Sequence, residues 1–189
     1  MNRREAVSAV AVLLGGTIVG SNMFLTGCKT ADKKAGLTDF STDQIAYLDE
    51  VAETIIPTTD TPGAKAAKVG AFMKVMVKDC YTEADQKVFV DGMAALETAS
   101  EKQFSKGFMK LDATQKKELL TALDKEQKDH HSSKKAEDPA HYFRMMKELT
   151  LLGYFSSEIG ATQALRYVAV PGKYEGCIPY NKGDKAWAT

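Results

Sequence analysis

Repeated helix starts constrain the fold of this chain more than any other feature. Ser41 and, three residues later, Gln44 form a capping box, and apolar residues then recur at helical spacing up to Ile56. Pro57 should end this first helix. Similar starts recur at Thr82, at Asp112 and at Asp138-Pro139. The pattern predicts an all-α fold, a compact helical bundle.

Two stretches of the chain do not fit the helical pattern. A long loop rich in Pro, Thr and Gly runs from Pro57 to Gly63, before a second helix predicted over 66–78. After Val170 the apolar periodicity is lost, and we expect an irregular C-terminal tail. Between them, residues 130–135 are expected to form a solvated connector. We also expect a helix ending at Gly153, with a further helix over 156–166.

The first 28 residues resemble an export signal. A basic start is followed by a small, apolar, uncharged stretch and then by Leu25-Thr26-Gly27-Cys28, which has the form of a bacterial lipobox. We therefore expect a cleavable signal over 1–27, a lipid on Cys28, a flexible tether over 28–40 and a helical domain over 41–189. The alternative is an ordinary signal in which the cysteine is incidental. Either reading places the chain outside the cytoplasm, and the lipid would anchor it to a membrane in the cell envelope or periplasm.

The basic start itself contains the pair Arg3-Arg4. Such a pair can direct a protein to the twin-arginine (Tat) route, which exports folded cargo. A basic start often holds two arginines for no such reason, so the pair alone leaves both readings open.

Two cysteines remain if Cys28 carries lipid. Outside the cytoplasm, Cys80 and Cys177 could form an internal disulfide. Alternatively, Cys177 could bond to a partner chain, or both thiols could stay reduced. The sequence does not choose among these three.

Composition and motifs argue against several classes of function. The chain has 25 basic and 25 acidic residues, so no net charge attracts nucleic acid. Its sequence holds no dinucleotide-binding, phosphate-loop or covalent-haem motif. We therefore expect no cofactor in this chain, no catalytic residue and no metal site. A metal site would need His130, His131 and His141 to converge with Asp129 or Glu137, and we expect these histidines on a solvated loop. An acid/base pair could be formed by Asp49 and Glu53, which we expect on an exposed helix face.

Two segments carry a resemblance to a known family. Residues 55–64, Ile-Ile-Pro-Thr-Thr-Asp-Thr-Pro-Gly-Ala, resemble the first signature of the gluconate 2-dehydrogenase subunit 3 family. Residues 153–162, Gly-Tyr-Phe-Ser-Ser-Glu-Ile-Gly-Ala-Thr, resemble its second signature, and residues 171–177 are similar to the tail of one branch. The resemblance covers 43–177 in the right order, and it favours the Tat reading of Arg3-Arg4.

The resemblance implies a division of labour between subunits. Members of the family are small subunits of membrane-associated sugar or sugar-acid dehydrogenases, whose large subunit, of the glucose-methanol-choline type, holds FAD. A c-type cytochrome often takes the electrons onward. The small subunit would escort the folded large subunit through the Tat pore, and a lipid on Cys28 would make it the membrane anchor. This chain would then be inactive alone, an accessory subunit of an oxidoreductase that acts on CH-OH groups.

Rigid loops with aromatic side chains suit docking, because they lose little entropy on binding. The candidates for the partner interface are Pro57, Asp60, Pro62, Gly63, Tyr154, Glu158, Gly160, Pro171, Gly172, Tyr174 and Cys177.

The alternative function is that of a free-standing helical lipoprotein, which binds a carbohydrate or a surface protein.

Overall fold

Five α-helices make up most of the computed structural model, which describes residues 36–170, 172–173 and 175–188. They are α1 (Thr42–Ile55), α2 (Val69–Cys80), α3 (Glu83–Phe104), α4 (Ala113–Ser133) and α5 (Tyr142–Phe155). A short 3-10 helix, Phe108–Lys110, lies between α3 and α4. After α5 come a π-helix, Gly160–Ala164, and two short strands, β1 (Arg166–Tyr167) and β2 (Trp187–Ala188). The all-α prediction is confirmed.

Three of the predicted helix starts are confirmed by their caps. Ser41 and Asp112 each form a complete capping box, and the Thr82 hydroxyl accepts a hydrogen bond from the Asp85 backbone N–H. These bonds satisfy backbone donors that the first turn of a helix leaves without partners. Helix α1 ends at Ile55, before Pro57, as predicted.

The second helix begins at Val69, three residues later than predicted. Residues 64–68 form turns, and Lys68 has a left-handed backbone with φ of 55°. A non-glycine residue in this conformation cannot continue a right-handed helix.

The prediction for the α4–α5 connection was wrong in two respects. Helix α4 runs through His130 and His131 to Ser133, so these histidines are helical. Helix α5 begins at Tyr142 and not at Pro139, because Asp138 uses its carboxylate to accept from the Lys135 backbone N–H at 2.8 Å. His141 caps α5 instead: its Nδ1 accepts from the Phe143 backbone N–H at 3.2 Å.

The core lies among the apolar faces of α1, α2, α3 and α5, with α4 closing one side. Burial of each large apolar side chain stabilises the fold by about 1.5–3 kcal/mol. Thr38 and Phe40, which come just before α1, are also buried. The largest fully buried side chains include Leu48, Met73, Phe89, Leu96, Phe108, Phe143, Met146 and Tyr154.

The predicted final helix over 156–166 is only partly present. One turn leads into the π-helix, and the chain becomes extended at Leu165. Strands β1 and β2 then pair in parallel, with Arg166 opposite Trp187. For the residues after Val170 that the structure describes, the predicted irregular tail is confirmed, apart from β2.

Candidate functional site

The proline-framed loop, residues 56–68, is fixed by one carboxylate of α1. Glu53 accepts hydrogen bonds from the Thr58 N–H at 2.9 Å, the Thr58 hydroxyl at 2.7 Å and the Lys65 N–H at 2.8 Å. The Thr58 hydroxyl oxygen in turn accepts from the Gly63 N–H at 3.0 Å. Three hydrogen bonds to a single carboxylate hold the loop in one conformation. Glu53 therefore has a structural role, whereas we expected it on an exposed helix face.

Asp49 also has a structural role and does not lie on a solvated face. Its Oδ1 accepts from the Gly70 N–H at 2.7 Å, at the N-terminal end of α2. Partial burial raises the pKa of Asp49, and the hydrogen bond from Gly70 opposes that rise. The contact fixes α2 against α1, where a Cβ on Gly70 would lie 2.5 Å from the Ile45 carbonyl oxygen.

The second signature begins inside the bundle. Gly153 packs against the Phe72 ring so closely that a Cβ would lie 2.6 Å from it. Tyr154, which is 2% exposed, donates its hydroxyl hydrogen to the Pro62 carbonyl oxygen at 2.7 Å. This bond joins the two signature segments, although they are 92 residues apart in sequence.

The end of α5 turns sharply at Gly160. The Ser157 hydroxyl donates to the Tyr154 carbonyl at 2.6 Å and accepts from the Gly160 N–H at 3.0 Å. A Cβ on Gly160 would lie 1.9 Å from the Tyr154 carbonyl oxygen, so only glycine fits. We call residues 53–68 and 153–160 together the signature junction.

Beyond the signature junction, the C-terminal segment (residues 165–188) has little contact with the bundle. None of its described hydrophobic side chains belongs to the hydrophobic core or packs against it. Strand β1 contacts the π-helix and β2. The Arg166 guanidinium carbon lies 3.8 Å from the centroid of the Trp187 ring, a close cation–π contact.

Exposed apolar side chains are concentrated at this end of the chain. Of the twelve large apolar side chains that the described residues expose, nine lie between 151 and 187. A concentration of exposed apolar side chains in one part of the chain is a feature of protein–protein interfaces. The nine are Leu151, Leu152, Phe155, Tyr167, Val168, Val170, Ile178, Tyr180 and Trp187.

The predicted interface residues divide into three groups. Pro57, Asp60, Glu158, Gly172 and Cys177 are exposed and available to a partner. Pro62, Gly63, Tyr154 and Gly160 are buried or half-buried, and they build the signature junction from within. Pro171 and Tyr174 lie outside the described residues, as do Arg3, Arg4 and Cys28.

Cys80 and Cys177 are both free and exposed, so the structure does not contain the internal disulfide considered above.

Two of the three histidines, His130 and His141, lie close together. The rings of His130 and His141 are 5.6 Å apart, and His141 Nε2 lies 3.6 Å from a Glu126 carboxylate oxygen. They line an open cleft of about 650 Å³ with Asp129. Burial lowers the pKa of His141. Within residues 36–170, 172–173 and 175–188, no group of three or more potential ligands could hold a metal ion.

The sequence analysis did not identify two contacts: the stacking of Arg166 on Trp187 and the binding of the loop by Glu53. Arg166 was placed at the end of a helix, and its stacking on Trp187 depends on a strand pairing that no local pattern indicates. Glu53 stands 12 residues before the Lys65 N–H that it holds, so its role depends on the path of the loop.

None of the helices in the described part of the chain combines the length and apolar character that crossing a membrane requires.

Comparisons with known proteins point to one family. Neither the curated proteins nor the solved structures contain a match to this chain. The family model described as gluconate 2-dehydrogenase subunit 3 matches residues 42–172, which is well over half of the chain and includes both signature segments. The chain therefore belongs to the gluconate 2-dehydrogenase subunit 3 family.

Proposed function

We propose that this chain is the non-catalytic small subunit that binds, stabilises and escorts a large FAD-dependent dehydrogenase subunit. Membership of the family makes it a subunit of a dehydrogenase with more than one chain. The observation that carries the finer proposal is the set of nine exposed large apolar side chains between residues 151 and 187, beside a signature junction that Glu53 and Tyr154 hold together by internal hydrogen bonds. Exposure of apolar side chains to water is unfavourable, and a bound partner would bury them.

The large subunit would supply the chemistry. In this proposal it is a flavoprotein of the glucose-methanol-choline type that oxidises a sugar, a glycoside or a sugar acid at a CH-OH group. FAD would be held by that partner, and a c-type cytochrome could receive the electrons. The exposed candidates Pro57, Asp60 and Glu158 would lie at the border of the interface, next to the C-terminal segment.

Export and anchoring belong to the same proposal. Arg3-Arg4 would direct the pair of subunits to the Tat route, because a flavin-loaded subunit must fold before it crosses the membrane. A lipid on Cys28 would then hold the complex at the membrane surface, in the periplasm or cell envelope.

The test is an affinity purification from the native membrane. An affinity tag inserted in the exposed connector at 135–138 leaves the C-terminal segment untouched. We expect a large polypeptide to co-purify in equal amount, with the absorbance and fluorescence of bound flavin. A chain that elutes alone and colourless would contradict the proposal and would favour the free-standing lipoprotein.

Two substitution sets test export and anchoring separately. Changing Arg3 and Arg4 to lysine keeps the charge but removes the pair, so both subunits should stay in the cytoplasm. The matched control changes Lys33 and Lys34 to arginine and should be exported normally. Cys28→Ala should release the complex from the membrane fraction, whereas Cys80→Ala should not. Normal export of the Arg3/Arg4 variant, or a membrane-bound Cys28→Ala variant, would contradict the corresponding step.

A further inference from the structure

The small sheet of the C-terminal segment lacks the cover that parallel sheets require. Strands β1 and β2 are two residues each and pair in parallel. Parallel sheets occur almost only where both faces are covered, and an isolated two-stranded sheet is marginal in water. Yet Tyr167 is 55% exposed and Trp187 is 46% exposed. The sheet therefore has the features of a structure that another chain completes.

One edge of β1 is open to such a chain. The Arg166 N–H donates to the Ala186 carbonyl at 2.8 Å, so the backbone groups of Arg166 face β2. Successive residues of a strand direct these groups to opposite sides, so the N–H and carbonyl of Tyr167 face away from β2. No backbone hydrogen bond from elsewhere in the described chain reaches Tyr167.

The side chains beside this edge favour an acidic partner. Arg166 forms no ion pair with any described residue, and its Nε is buried without a hydrogen-bond partner. Its guanidinium is held in place by the Trp187 ring, and a stacked arginine readily binds a carboxylate with two hydrogen bonds. The segment contains four basic and two acidic residues, and Glu175 is already paired with Lys173 at 2.7 Å.

We propose that an extended, acidic segment of the large catalytic subunit adds to the open edge of β1 as a third strand. Its backbone would pair with Tyr167, and one of its carboxylates would bind Arg166. Main-chain pairing provides affinity in this mode of recognition, and the side-chain contact sets the register. This inference rests on the proposed function, because it names the partner's contact within the same surface.

A second copy of this chain is a less suitable occupant of the edge. Two C-terminal segments, each with an excess of basic groups, would repel one another on pairing. The test below nevertheless detects self-association if it occurs.

The first test compares proline with valine at position 167 in the purified complex. Tyr167→Pro and Tyr167→Val remove the same ring and leave side chains of similar size, but only proline removes the outward N–H. Proline is tolerated on an edge whose N–H faces outward, and Arg166 is already extended, so the subunit should still fold. We expect Tyr167→Pro to bind the large subunit at least about tenfold more weakly than Tyr167→Val.

The second test measures the salt dependence of binding. Arg166→Gln should weaken binding at least about tenfold and should reduce the dependence of the dissociation constant on salt. Lys182→Gln, which removes another exposed charge from the same segment, is the matched control and should change the affinity about threefold or less. Circular dichroism of each free variant checks that the bundle is intact.

The outcomes separate this inference from the proposed function. Equal affinities of Tyr167→Pro and Tyr167→Val, with a normal flavin-containing complex, would overturn the third strand but leave the subunit role intact. An unchanged salt dependence in Arg166→Gln would overturn the carboxylate contact. A dimer of the free chain that Tyr167→Pro disrupts would assign the edge to a second copy. A wild-type chain that binds no flavoprotein would instead refute the proposed function.

Discussion

The signature junction and the C-terminal segment differ in where their interactions go. In the junction, Glu53 satisfies three donors of the loop and Tyr154 bonds to Pro62, so these polar groups have their partners within the chain. In the described part of the C-terminal segment, no hydrophobic side chain joins the core, and six large apolar side chains are exposed: Tyr167, Val168, Val170, Ile178, Tyr180 and Trp187. The two regions adjoin through the end of α5 and the π-helix.

This difference separates stability from recognition. A region whose contacts are internal should affect the free energy of unfolding when it is changed. A region whose surface is exposed should affect binding to a partner and leave folding almost unchanged. The signature junction is therefore the stable part of the fold from which the C-terminal segment extends.

The largest expected effect comes from a pair of glycine substitutions. Gly160→Ala places a Cβ 1.9 Å from a backbone oxygen, which should lower the free energy of unfolding by about 3 kcal/mol. Gly172→Ala meets no atom within 4 Å, so only the strain of its left-handed backbone, with φ of +70°, should lower the free energy of unfolding, by about 1 kcal/mol. Urea denaturation measures both. Equal losses would remove the distinction between the two regions.

Trp187→Ala should weaken binding to the large subunit and leave the free energy of unfolding almost unchanged. Loss of the ring frees Arg166 and removes exposed apolar surface, so affinity for the large subunit should fall about 100-fold, as at an interface hot spot. The free energy of unfolding should change by less than about 1 kcal/mol. Val75→Ala, at another exposed apolar position on α2, is the control and should leave affinity unchanged. Titration of purified large subunit gives the affinities, and equal affinities of the two variants would contradict this assignment.

A smaller effect is expected from removing single hydroxyl groups. Tyr154→Phe deletes the donor to the Pro62 carbonyl and should lower the free energy of unfolding by about 1 kcal/mol. Tyr167→Phe, in the exposed segment, should lower it by no measurable amount. Thermal and urea unfolding compare the two variants. A neutral Tyr154→Phe would mean that the bond between the two signatures does not stabilise the junction.

The smallest effect should depend on pH. Lys116 and Lys65 both bond to Glu50, and chiefly the Lys116 hydrogen bond lowers the pKa of that carboxyl below its ordinary 4.5. A folded-state pKa that is lowered stabilises the protein above pH 4.5, and the contribution is lost as the pH falls through the lowered value.

Glu50→Gln should therefore lower the free energy of unfolding by up to about 1 kcal/mol at pH 7, and by less at pH 3. Glu175→Gln, which breaks the exposed pair with Lys173 in the C-terminal segment, should have no effect at either pH. Parallel urea titrations at the two pH values test this. A loss in Glu50→Gln that does not diminish at pH 3 would contradict the ion-pair explanation.

The helical core could be predicted from the sequence because its signals are local. Ser41, Thr82 and Asp112 cap helices through bonds to residues three positions away, and apolar spacing marks the buried faces. Pro57 ends α1 for an equally local reason. The fold class and the loop therefore followed from short-range chemistry.

The remaining features depend on which of several competing local contacts forms, or on contacts between distant residues. His141 caps α5 in place of Asp138, because the Asp138 carboxylate accepts from the Lys135 N–H instead. The π-helix follows from the close approach of Gly160 to Tyr154, and the stacking of Arg166 requires Trp187, 21 positions later. The C-terminal segment could be recognised as irregular and rich in aromatic residues, but its strand pairing could not be predicted.

Hydrogen exchange of the chain alone and in the purified flavin-containing complex tests the central claim most directly. We predict that complex formation slows exchange chiefly over residues 165–188, where the free chain should exchange fast, while the slow core of α1, α2 and α5 changes little. Protection confined to another face, such as the exposed sides of α3 and α4, would contradict the assignment of the C-terminal segment as the docking surface.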